Sequence, residues 1–84
     1  METENIMIDL KNVKKENSII YADYYPEWSK KSKKISHSID NGLFEGDLLG
    51  VEYETKNHLS HAYKALMEMS NGEREIKDCK IIWY

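Results

Sequence analysis

The sequence predicts an α+β domain: a mostly antiparallel sheet of four to five strands in the order β-β-β-β-α-β, with one amphipathic helix packed on one face. Three observations lead there. Apolar residues alternate with period two in several stretches before residue 50 and again after residue 78. The period lengthens to 3.6 only between residues 56 and 70. Turn-forming residues fall between these stretches rather than inside them.

Ile6, Ile8 and Leu10 alternate with Met7 and Asp9, as in a half-buried strand. Lys14 to Asn17 form a polar connection to a second run, Ser18 to Tyr25, so the pair reads as a hairpin. In the second run Ile20, Ala22 and Tyr24 share one face, and Ile19, Tyr21, Asp23 and Tyr25 the other. Pro26 has no amide donor and ends the ladder, leaving residues 27 to 33 as loop. Ile35, His37 and Ile39 then alternate with serines and run into Asp40-Asn41-Gly42-Leu43, where Asn-Gly suits a type I′ turn. The returning strand is expected from Leu43 to Leu49 with Gly46 as a bulge, and Gly50 breaks it.

Leu59, Ala62, Tyr63, Leu66, Met67 and Met69 recur at helical spacing, which predicts one helix over 56–70. Thr55 or Asn57 can cap its start, and Asn71-Gly72 supplies the left-handed stop. Asp78 to Tyr84 close the sheet, with Cys79, Ile81 and Trp83 facing inward and Lys80, Ile82 and Tyr84 outward. A helix of this length is about 22 Å long. It covers one side of the sheet, so the other side must face water or a partner.

The chain has 84 residues, 40% of them hydrophobic and 32% charged, which fits a single domain spanning residues 1–84. No apolar run approaches the roughly 18 residues of a membrane span, and Glu2 and Glu4 give the start the wrong charge for a signal peptide. One cysteine, Cys79, rules out an internal disulfide and suits a reducing, cytoplasmic setting. The net charge of -3 argues against indiscriminate binding to phosphate backbones. Acidic residues outnumber basic ones only beyond residue 42, so any anion-binding surface should come from the first half.

Tyr24-Tyr25-Pro26-Glu27, a hairpin closed by a turn glycine, His61-Ala62 on the helix and a terminal Trp83-Tyr84 together resemble a group of small uncharacterised bacterial proteins. The resemblance implies a compact bacterial domain. It implies no activity and transfers no site residue.

Glu54, His58 and His61 stand at i, i+4 and i+7, and a carboxylate with two imidazoles is a ligand set for zinc or iron. Taking Leu59 as the centre of the apolar stripe, His58 lies about 100° and His61 about 160° away, at the boundary and in solvent. The pair is the nearest approach to a metal site, and ordinary surface histidines are the expectation. His37 lies between Ile35 and Ile39 on one strand face, so it reads as a buried neutral imidazole satisfied by backbone or a tyrosine hydroxyl. Cys79 reads as a small core hydrophobe. The chain contains no Gly-rich phosphate loop and no nucleophile elbow, so neither catalysis nor a cofactor is expected.

The richest segment is Tyr21 to Lys34, where Tyr21, Tyr24, Tyr25 and Trp28 precede Lys30, Lys31, Lys33 and Lys34. If Ile20, Ala22, Tyr24, Ile35 and Ile39 face the helix, Tyr21, Tyr25, Ile82 and Tyr84 collect on the opposite face. Tyrosine-rich open faces mark interaction sites. The leading expectation is therefore a non-enzymatic module that forms a homodimer or binds a protein partner. Its binding residues would be Tyr21, Tyr25, Trp28, Lys30, Lys31 and Tyr84. The second reading is single-stranded nucleic acid, with bases stacking on the rings and lysines following phosphates.

Overall fold

In the computed structural model, which describes residues 6–26, 30–50, 54 and 56–83, the first hairpin is longer than its sequence suggests. Strand β1 (Ile6–Glu16) pairs antiparallel with β2 (Ile19–Pro26) up to the facing pair Glu16 and Ile19. The residues expected to be a polar connection, Lys14 to Glu16, therefore belong to the strand. Only Asn17 and Ser18 turn the chain, both at positive φ (52° and 64°) as a type I′ turn requires.

An irregularity within β1 keeps its apolar residues on one face. Between Lys11, which faces Asp23, and Lys14, which faces Tyr21, two residues stand opposite Ala22 alone. Asn12 takes the left-handed conformation (φ 54°) of a bulge residue, and its Nδ2 donates a 2.8 Å hydrogen bond to Asp23 Oδ2. Without the bulge Asn12 would point to the core and Val13 to solvent. With it, Val13 joins the residues packed against the core.

Strand β3 (Lys33–Ser38) adds to β2, and β4 (Phe44–Glu45) adds to β3. Their turn is not type I′, because only Gly42 (φ 74°) is left-handed. A four-residue loop, 39–42, forms instead: Gly42 N donates to Ser38 O at 2.9 Å and Ser38 N to Leu43 O at 2.8 Å. The expected strand to Leu49 stops at Glu45. Past it the chain crosses Ile35 toward the helix, and a Cβ on Gly46 would sit 2.6 Å from Ile35 Cγ2 and 3.0 Å from Tyr63 Oη. Further on, Leu49 and Gly50 give their amides to a side chain, Glu54, rather than to β3.

Helix α1 (Lys56–Ser70) has the predicted bounds, and strand β5 (Cys79–Trp83) pairs with β1 to complete one sheet in the order β4-β3-β2-β1-β5. Asn57 lies inside the first turn rather than capping it, while Thr55, the other cap candidate, lies outside the described residues. The end is a Schellman motif around Gly72 (φ 86°): Glu73 N donates to Glu68 O at 2.8 Å and Gly72 N to Met69 O at 3.4 Å.

The helix contacts β1, β2, β3 and β5, so it lies across the sheet. Between the layers are Ile8, Leu10, Ile20, Ala22, Tyr24 and Ile35 from the sheet and Ala62, Ala65, Leu66 and Met69 from the helix. Ile39, Cys79 and Ile81 pack at the margin. The buried stripe of α1 is His58, Ala62, Ala65, Leu66 and Met69, so its centre is not Leu59, which is only half-buried. Small Ala62 and Ala65 let the helix approach the sheet, and the larger Leu59 and Tyr63 flank the contact.

Candidate interaction face and the polar cluster beneath the helix

Alternation along the strands and the register between them set the composition of the face away from the helix. Tyr21 and Tyr25 of β2 lie there, both half-buried, with Ile82 of β5, which is 49% exposed. Met7 faces Ile82 across the β1–β5 ladder. These residues do not form one continuous aromatic patch. A charged row, Lys34, Asp23 and Lys11, crosses the sheet between the two tyrosines, with Lys34 Nζ 3.7 Å from Asp23 Oδ1. The adjacent row runs Tyr25, Asp9, Lys80. Lys11 Nζ also lies 5.2 Å from the centre of the Tyr25 ring, a cation–π contact that covers part of it.

Of the other residues expected to bind, Lys30 and Lys31 are exposed in the connection before β3, and Lys33 and Lys34 lie within β3 rather than in a loop. Trp28 and Tyr84 lie outside the described residues. Tyr24, grouped in sequence with the aromatics beside the lysines, is fully buried.

On the helix side the chain builds a polar cluster that the sequence does not announce. Glu54, just before α1, accepts hydrogen bonds from Tyr24 Oη (2.6 Å) and Leu49 N (2.9 Å) on Oε2, and from Gly50 N (2.6 Å) on Oε1. Burial first, then the hydrogen bond to Glu54 and its charge, push the Tyr24 phenol far above its ordinary pKa of 10.0. It is therefore a donor and not a base. Tyr63 is also raised, by burial and by the charge of Asp47.

The Glu54, His58, His61 stripe does not converge. Glu54 is engaged by Tyr24 and the 49–50 backbone. His58 is buried rather than at a boundary, because the stripe centre is turned toward it, and His61 is half-buried rather than in solvent. Burial, then the charges of Lys64 and His58, lower the His61 pKa and so favour its neutral ring. Among the described residues no group of three or more His, Cys, Asp or Glu side chains could hold a metal ion.

His37 is buried, as its flanking isoleucines indicate, but its Nδ1 has no hydrogen-bond partner among the described residues. Its ring stacks on Phe44 (centroids 4.2 Å apart), which stacks on Tyr63 (4.7 Å), so three rings tie β3, β4 and α1 together. Burial dominates at Cys79 and raises its thiol pKa despite the nearby Arg74, so the thiolate is disfavoured. Among the described residues no helix is long and apolar enough to cross a membrane. Comparison of the chain with protein-family profiles, curated proteins and solved structures finds no match.

Proposed function

We propose that this chain is a small protein-interaction module that pairs with a second copy of itself through the sheet face opposite α1. One observation carries the reading: charges of opposite sign alternate across that face, Lys34, Asp23, Lys11 in one row and Asp9, Lys80 in the next, with Tyr21, Tyr25, Met7 and Ile82 between them. A second copy, related by a two-fold axis, presents the same mosaic and can set lysine against aspartate while the apolar residues meet. Strands of 11, 8, 6, 2 and 5 residues give the face a footprint of roughly 500 Å². That is below the ~800 Å² per partner of a standard interface and on the scale of a weak, reversible one.

The same mosaic weakens the nucleic-acid reading. Asp9 and Asp23 flank the tyrosines on which bases would stack, and Lys11 already covers the ring of Tyr25. Light scattering over a concentration series tests the proposal. A dimer that dissociates on Tyr21→Ser with Tyr25→Ser, and on Asp23→Lys, supports it. A strict monomer at about 1 mM overturns it. An oligonucleotide shift with a log-log salt slope of roughly -2 to -3, as expected for three or four phosphates, would favour the second reading.

A further inference from the structure

In the sheet order, β5 has β1 on one side and no described strand on the other. Residues Cys79–Trp83 thus present a row of backbone donors and acceptors along an edge. Beside this edge, on the helix side, runs a groove of about 220 Å³ between α1 and β5. Its lining is His61, Lys64, Glu68, Arg74, Ile81, Ile82 and the buried Ala65.

The charges in the groove are not balanced. Arg74 Nε and Nη2 both donate to Glu68 Oε1, at 3.1 and 3.0 Å, which satisfies the one carboxylate there. Lys64 makes no ion pair among the described residues. The groove therefore keeps one unanswered positive charge beside the apolar Ile81 and Ile82.

We propose that this edge and groove accept an extended acidic segment of another protein, which adds to the sheet beside β5. Main-chain pairing supplies affinity and alternate side chains supply selectivity, as in other cases of strand addition. Every second side chain of the added strand enters the groove, an apolar one against the half-buried Ile81 and a carboxylate toward Lys64. The intervening side chains fall on the other face, beside exposed Ile82 and the ammonium of Lys80. A second copy of β5 is a poor occupant, because Cys79–Trp83 contains no acidic residue and would bring another lysine. The site does not depend on the proposed dimer face, since it uses the strand edge and the helix side.

The test uses the whole protein and labelled synthetic peptides of roughly eight residues, within ordinary strand length. One repeats Val-Thr-Glu-Thr, which sets valine and glutamate alternately on one face, one carries lysine in place of each glutamate, and a third is the acidic peptide N-methylated along one edge. The expected result is saturable binding of the acidic peptide, with amide shifts in residues 79–83 and on the adjoining side of α1. N-methylation and Lys64→Glu should each weaken it by about tenfold or more, and Lys64→Glu should admit the lysine peptide. Lys64 is exposed, so its replacement leaves the fold in place, as a thermal melt will verify. Equal binding of the acidic and basic peptides, indifference to either change, or no binding at about 1 mM peptide overturns the proposal. So does concentration-dependent protection of the β5 amides without peptide, which would identify a second copy as the occupant.

Discussion

Tyr24, wholly buried in the middle of the sheet, donates a 2.6 Å hydrogen bond to Glu54, thirty positions later and just ahead of the helix. The bond joins the sheet to the start of α1, and the two backbone amides on the same carboxylate fix the 49–50 segment beside it. A hydrogen bond to a charged acceptor is worth about 1.5–3 kcal/mol, so Tyr24→Phe should lower stability by that amount in urea denaturation. Glu54→Gln should also speed hydrogen exchange at Leu49 and Gly50. The double variant should lose less than the sum of the two, because both remove the same bond.

The raised pKa of Tyr24 has a consequence in alkali. Unfolded tyrosine ionises near 10.0 while the folded phenol keeps its proton. The folded state then binds more protons than the unfolded one, and stability must fall as pH rises above 10. The slope approaches about 1.4 kcal/mol per pH unit for this one group. Below pH 9 the phenol is neutral in both states and its contribution is constant. Melting temperatures of the wild type and Tyr24→Phe should converge above pH 10, and parallel curves would remove Tyr24 as the cause.

Gly46→Ala should be destabilising although the residue is exposed. The new methyl would lie 2.6 Å from Ile35 Cγ2, a side chain fixed in the core. Overpacking of this kind costs about 1–3 kcal/mol. A chemical denaturation midpoint is sufficient to measure it.

Ser18→Gly should act the other way. Ser18 holds φ 64° in a type I′ turn, a conformation in which glycine has no steric penalty. A gain of about 0.5–1 kcal/mol is expected, the roughly 1–2 kcal/mol an L side chain loses in the left-handed region less the roughly 0.4–1 kcal/mol by which glycine's freedom favours the unfolded chain, without change to the hydrogen bond from Ile39 N to Ser18 O. An unchanged or lowered melting temperature would contradict the turn assignment.

Much of this fold is written in local periodicity. The alternation of Ile20, Ala22 and Tyr24 against Tyr21 and Tyr25 is enough to divide the faces of β2, and Asn71-Gly72 marks the helix end. What periodicity does not carry depends on partners distant in the chain. Asn17-Ser18 is a less obvious turn than Asn41-Gly42, yet the first pair takes the primed geometry and the second lies in a wider loop. His58 is buried because the helix turns its two alanines, rather than Leu59, toward the sheet, a choice made by the layer opposite. Glu54 reads in the sequence as a metal-ligand candidate beside His58 and His61, because its actual partners Tyr24, Leu49 and Gly50 are brought to it by the fold. The charged rows on the open face follow from strand register, which a single strand's sequence does not specify.

The pairing of Ile6 with Trp83 joins residues from the two ends of the described chain. During synthesis the first hairpin can form as soon as it emerges, but one flank of β1 waits for β5, which lies beyond the helix in the sequence. Ile8 and Leu10 lack their neighbours Ile81 and Cys79 until then. The same adjacency suits a circular permutation of the described residues: a short linker can join Trp83 to Ile6, and the chain can be reopened in the exposed loop at Asn41 and Gly42. In the rearranged chain β5 and β1 become a hairpin, and the pairing of widest sequence separation becomes a local one.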